Sequence, residues 1–216
     1  KAAVSGKLLT KKMAESKLKE YDTNGADAFA CYMLNKDSNP QEAFTWLNKA
    51  AEQGHAKAQY ELGECYYWGN NVENNPQEAL NWYHKAAAQG YADAQCAIGS
   101  CYLWGNGVEQ DFAEAGNWWK KAALQENATA QFFLGFFYYW DFKKDRTEAV
   151  KWYEKAANNG HDEAQYQLGK CYLNGIGVTK NRNEAMKWLH KAADNGNESA
   201  INALQKNAER IIPKGL

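Results

Sequence analysis

Residues 128–140 read Ala-Thr-Ala-Gln-Phe-Phe-Leu-Gly-Phe-Phe-Tyr-Tyr-Trp, and the pattern returns three more times. Residues 56–68 read Ala-Lys-Ala-Gln-Tyr-Glu-Leu-Gly-Glu-Cys-Tyr-Tyr-Trp. Residues 92–104 read Ala-Asp-Ala-Gln-Cys-Ala-Ile-Gly-Ser-Cys-Tyr-Leu-Trp, and residues 162–174 read Asp-Glu-Ala-Gln-Tyr-Gln-Leu-Gly-Lys-Cys-Tyr-Leu-Asn. A second motif keeps step with the first. Lys-Ala-Ala begins at Lys49, Lys85, Lys121, Lys155 and Lys191, at spacings of 36, 36, 34 and 36 residues. Trp46, Trp82, Trp118, Trp152 and Trp188 each precede it by three. A fixed period of this length marks an array of helix pairs, each too small to bury its own apolar face and so stacked on its neighbours. The copy at 128–140 carries the most rings.

The punctuation supports helix pairs. Each second helix opens with Asn or Asp followed three residues later by Glu: Asn39 and Glu42, Asn75 and Glu78, Asp111 and Glu114, Asp145 and Glu148, Asn181 and Glu184. This spacing predicts a capping box, in which the cap side chain accepts from a first-turn N–H and the Glu reaches back. Pro40 and Pro76 stand at the first helical position, where no N–H is missed. Gly54, Gly90, Gly160 and Gly196 close the same helices as left-handed caps, with Glu126-Asn127 in that place in the third full repeat's predecessor. The turns within each pair read Gly69-Asn-Asn-Val72, Gly105-Asn-Gly-Val108 and Gly175-Ile-Gly-Val178. After residue 140 the turn is Asp141-Phe-Lys-Lys144, shorter by two and without glycine.

Ala-x-x-x-Leu-Gly-x-x-Tyr, then Gly-x-Gly-Val, then Trp-Tyr-x-Lys-Ala-Ala resembles the Sel1-like repeat, a relative of the tetratricopeptide repeat, over about residues 26–200. The resemblance implies an all-α fold, a right-handed α/α superhelical solenoid of antiparallel helix pairs. The expected order is an N-terminal helix or cap at 1–25, a degenerate first repeat at 26–55, and four repeats at about 56–91, 92–127, 128–161 and 162–197. A C-terminal capping helix and tail follow at 197–216. Within the cap, residues 7–21 suit an amphipathic helix using Leu8, Leu9, Met13 and Leu18. In the degenerate repeat, Ala28-Phe-Ala-Cys-Tyr32 stands where the others have Gly-x-Cys-Tyr. The family implies a protein-interaction scaffold, often bacterial and periplasmic or secreted.

The repeat assigns faces. Leu62, Gly63 and Tyr66 and their equivalents should pack on the partner helix, and the five repeated tryptophans should fill the space between layers. Positions two before and two, five and six after the core Leu or Ile should turn away from the paired helix, toward a concave groove. These are Tyr60, Glu64, Tyr67 and Trp68 in one copy, and Cys96, Ser100, Leu103 and Trp104 in the next. Phe132, Phe136, Tyr139 and Trp140 follow, then Tyr166, Lys170, Leu173 and Asn174. Aromatics gathered on one face point to an interface for a peptide, a helix or a folded effector protein.

Other classes find little support. A net charge of −1 gives no reason to expect nucleic acid, although lysines dominate the first twenty residues. No apolar run reaches the roughly 18 residues of a membrane span. The chain starts at Lys1, so we expect that residues preceded it, with no signal peptide visible. Cys31, Cys65, Cys101 and Cys171 share one repeat position, too far apart across neighbouring helices for disulfides, and read with Cys96 as small buried hydrophobes. His55, His84, His161 and His190 lack metal-pair spacing, and no nucleophile elbow, P-loop or dinucleotide motif occurs. No cofactor or metal is expected. Asn127-Ala-Thr129 and Asn197-Glu-Ser199 match the glycosylation acceptor pattern. The leading function is a scaffold. An immunity protein that neutralises a cognate toxin is the alternative, and a hydrolase of the cysteine-rich Sel1-like type comes third.

Overall fold

Helix ends in this chain are set by side-chain caps and by residues with positive φ, and they delimit the elements closely. The computed structural model describes residues 24–140 and 145–211, with side chains through residue 206. The expected helix at 7–21 and the turn at 141–144 lie outside the described residues. The helices are α1 (Ala26–Asn35), α2 (Pro40–Glu52), α3 (Ala56–Trp68), α4 (Pro76–Ala88), α5 (Ala92–Trp104), α6 (Phe112–Ala123), α7 (Ala128–Trp140), α8 (Arg146–Asn158), α9 (Asp162–Asn174), α10 (Arg182–Asp194) and α11 (Glu198–Ile211). Among the described residues there is no strand. The chain divides into two compact units, Lys1–Ala115 and Gly116–Leu216. Within each, helices pack on their neighbours in sequence.

The five predicted caps form. Asn39, Asn75, Asp111, Asp145 and Asn181 each accept from the N–H of the Glu three residues on, at 2.9–3.3 Å. The reverse half of the box differs from expectation. The backbone N–H of Asn75, Asp111 and Asn181 donates instead to the carbonyl of Tyr66, Tyr102 and Tyr172, at 2.8–3.0 Å. That bond ties the start of these three second helices to the first helix of the pair. At the far ends, Gly54, Gly90, Gly160 and Gly196 have φ of +84 to +91°, and Glu126 takes the same conformation at +64°.

Packing is close because the first helix carries glycine where the second carries a large side chain. A Cβ on Gly63 would lie 2.5 Å from Tyr83 Cε1, and one on Gly135 would lie 2.6 Å from Tyr153 Cδ1. Leu47, Tyr83, Trp119, Tyr153 and Leu189 fill this position and are almost fully buried. Each follows a repeated tryptophan by one residue. The tryptophans themselves sit further out than expected: Trp152 and Trp188 are buried, whereas Trp46, Trp82 and Trp118 are only half-buried. The spacing of three places a lysine ammonium over each indole, at 3.4 Å for Lys85 on Trp82, 3.8 Å for Lys121 on Trp118 and 4.0 Å for Lys155 on the buried Trp152, a cation–π contact common to half-buried and buried rings.

Each repeat also carries a buried glutamine: Gln59, Gln95, Gln131 and Gln165. Its Nε2 donates to a carbonyl at the end of the preceding second helix, which also accepts the backbone N–H of Gly54, Gly90, Glu126 or Gly160. The five cysteines are free, four of them buried and Cys65 half-buried. Asn127 and Asn197 cap α7 and α11 by accepting from Ala130 and Ala200, at 2.8 and 2.9 Å, and Asn197 is buried.

Candidate interaction surface

Each residue of a helix turns about 100° from the last, which splits the four groove positions into two kinds. Positions two and six after the core leucine lie roughly one turn apart, on the side away from the core. Positions two before and five after lie closer to the glycine edge, beside whatever follows in the chain.

In the first unit, Trp68 and Trp104 are each 66% exposed. Trp68 rests edge-on against Tyr67, with centroids 4.9 Å apart, and its Nε1 donates to Glu64 at 3.2 Å. Glu64 does not turn wholly away from the paired helix as expected. Its long side chain accepts from the Tyr83 hydroxyl of α4 at 2.5 Å. Burial, with the Glu64 charge, pushes that hydroxyl far above the usual tyrosine range. Tyr60 departs further from the expectation. It packs on Tyr83 and Tyr91, at 5.8 and 5.5 Å, and burial raises its hydroxyl as well. The Tyr67 hydroxyl accepts from Asn106 in the next turn at 2.7 Å. Ser100 is half-buried, and its hydroxyl donates back to the Cys96 carbonyl at 3.3 Å. Cys96 is buried, and Leu103 is half-buried.

In the second unit, Phe136 and Trp140 are 41% and 65% exposed and sit with centroids 6.1 Å apart. Tyr139 meets the Trp140 edge at 5.1 Å, with the Arg146 guanidinium 5.6 Å from its ring. Phe132 turns inward. It stacks on His161 at 4.6 Å and leans on Tyr153 at 6.0 Å. Tyr166 packs against the buried cluster of Leu189, Ala192 and Ala200, and the Lys170 ammonium lies 5.1 Å over its ring. Tyr60, Phe132 and Tyr166 therefore belong to the packing between a first helix and the elements after it. The hundred-degree step puts them there, and the open face keeps the +6 position, joined at +2 by Phe136.

One further residue shares the open position. Leu34 aligns with Trp68 through Cys31-Tyr32 and Cys65-Tyr66, and it is 77% exposed. That alignment was readable in the sequence, but the first repeat lacks the Leu-Gly that anchors the register. Among the described residues, no group of three His, Cys, Asp or Glu could hold a metal ion. No helix there is long and apolar enough to cross a membrane.

Residues 28–55, 56–91, 92–127, 128–161 and 162–197 each match the Sel1 repeat. The chain belongs to the Sel1 repeat family. Its fold is accordingly the all-α solenoid of helix pairs, and solved structures agree. A Sel1 repeat protein from Oxalobacter formigenes is similar at 33% identity, with a TM-score of 0.78, over 91% of this chain and 57% of that one. A protective antigen of uropathogenic Escherichia coli is similar at 30% identity, with a TM-score of 0.75, over 82% of this chain and 39% of that one. An immunity protein from Pseudomonas aeruginosa is similar at 25% identity, with a TM-score of 0.58, over 81% of this chain and 68% of that one. This Sel1 repeat chain thus spans well under two thirds of the first two.

Proposed function

We propose that this Sel1 repeat chain is a protein-interaction module whose partner docks on the exposed aromatic positions of its first helices. These are Trp68 and Trp104 in the first unit, and Phe136 and Trp140 in the second. One observation carries the reading: three tryptophans at a single repeat position are each about two-thirds exposed while their helix neighbours are packed. A water-facing indole adds little to folding, whereas a large rigid ring is what interface hot spots are built from. Sel1 repeats typically serve as such modules, so a protein partner is the class expected. The setting we propose is bacterial and outside the cytoplasm, as the family resemblance implies.

The test is capture from the organism that encodes the chain, with wild type and Trp140→Ala immobilised side by side and bound proteins identified by mass spectrometry. A protein held by wild type and missing from the variant supports the reading. Identical sets on both would refute it.

A second reading has its own observation, the likeness to a Pseudomonas immunity protein. Here the partner is one folded toxin or effector enzyme, and the aromatic positions plug it. A scaffold binds related segments from several proteins. An inhibitor binds one enzyme and abolishes its activity, so an assay of the captured protein separates the two.

A further inference from the structure

Two tyrosines stand by Cys101 and two by Cys171, whereas Leu103 and Trp119 hold those positions in the repeat at 92–127. In the first unit the tyrosines are Tyr67 and Tyr83, which lie by Cys101. Tyr83 and Cys101 are each 1% exposed, and the Asn106 amide donates to the Tyr67 hydroxyl at 2.7 Å. In the second unit Tyr139 and Tyr153 stand at the same two positions, with Cys171 buried beside Tyr153.

The first repeat breaks this pattern. Its equivalents are Met33, which turns to solvent, and Leu47, which is shorter and has no hydroxyl. A cavity of about 350 Å³ opens there. Phe44, Leu47 and Cys65 line its apolar part, with Lys36, Glu61 and Asn70 among its polar lining. Cys65 is correspondingly the one half-buried cysteine. Asn70 is the counterpart of Asn106; its side chain is exposed to water and, among the described residues, donates no hydrogen bond within the chain. The Glu61 carboxylate accepts none among them either, and burial holds its pKa above the usual carboxylate value.

We propose that this cavity receives a tyrosine side chain presented by a protein partner, its ring filling the space that Met33 and Leu47 leave and its hydroxyl taking the Asn70 amide. The chain itself supplies the template, since Tyr67 and Asn106 make this arrangement one repeat on. Phenylalanine would forgo the hydrogen bond to the Asn70 amide. The size is at the small end of ligand cavities, which suits one side chain better than a cofactor. The inference shares the protein partner with the reading above but uses none of the exposed tryptophans.

The test titrates the full chain with N-acetyltyrosinamide and with N-acetylphenylalaninamide, following the Asn70 side-chain amide by NMR. The tyrosine compound should shift that amide saturably. The phenylalanine compound should bind about fivefold more weakly, the scale of one net hydrogen bond. Met33→Tyr should fill the cavity from within and weaken the tyrosine compound about tenfold, whereas Met33→Ala should leave it unchanged. The inference is overturned if the Asn70 amide does not shift, if both compounds bind alike, or if Met33→Tyr binds as wild type does. Loss of partner capture in the Trp140→Ala variant would leave these results untouched.

Discussion

Gln165 donates through Nε2 to the Ala157 carbonyl at 3.0 Å, and its side chain is completely buried. Its Oε1 accepts from Asn195 at 2.9 Å, so one amide joins the ends of α8 and α10. Gln131 does the same with Ala123 and Asn159, at 3.2 and 3.0 Å. Gln59 does so with Ala51 and Gln89, at 3.1 and 2.8 Å. Gln165→Leu removes two hydrogen bonds, to the Ala157 carbonyl, which keeps the Gly160 N–H, and from the Asn195 amide, and should cost about 2 kcal/mol. For a chain of this size that lowers the melting temperature by about 4–8 °C, read by circular dichroism. A melt unchanged from wild type would mean that the clamp contributes nothing.

Glu126 holds a left-handed conformation at φ +64° where the equivalent residues are glycines. A side chain there costs about 1–2 kcal/mol, partly offset by the greater unfolded-state freedom of glycine, about 0.4–1 kcal/mol. Glu126→Gly should therefore stabilise by about 0.5 kcal/mol. The bond from Asn159 to the Glu126 carbonyl is retained, because it uses backbone. Denaturant titration should show a higher midpoint with an unchanged slope.

His161 caps α9 by accepting from the Ala164 N–H through Nδ1 at 3.2 Å. Burial pulls its pKa below the ordinary value of 6.5, against Asp162 and Glu163, which pull it upward. The unfolded chain therefore binds this proton more readily than the folded one. The contribution to stability is complete above the unfolded value and is lost as pH falls through the folded value. His161→Asn keeps a good cap without a titrating group. Wild type should lose more melting temperature than this variant between about pH 7.5 and about pH 5. Equal losses would contradict the assignment.

Much of this was written in the chain. The Ala-x-x-x-Leu-Gly period, the Asn or Asp caps and the closing glycines state the helix pairs outright. The close approach at Gly63 and Gly135 follows from the same motif. Tyr60, Phe132 and Tyr166 were less legible. A single helix shows which residues avoid its own core but not which side the next repeat occupies, and that neighbour takes the −2 position. Glu64 was misread for another reason, since a flexible side chain can reach a phenol on the paired helix from an outward Cα. The glutamine clamp lay in plain sight in every Ala-Gln, but a polar residue in a helix reads as surface until its carbonyl partner is known. Lysines three residues after tryptophans were equally visible, and one helical turn brings each ammonium over its indole.

The exposure of Trp68, Trp104 and Trp140 follows from their step around the helix, and their role in binding is the central claim. The most direct measurement is the affinity of the captured partner for wild type, Trp104→Ala and Trp140→Ala, by calorimetry, beside a thermal melt of each. Both variants should melt within about 2 °C of wild type, because the rings contribute little buried area. At least one should bind about 30-fold more weakly, the 2 kcal/mol of an interface hot spot. Wild-type affinity in both variants, or an unfolded Trp140→Ala, would contradict the account.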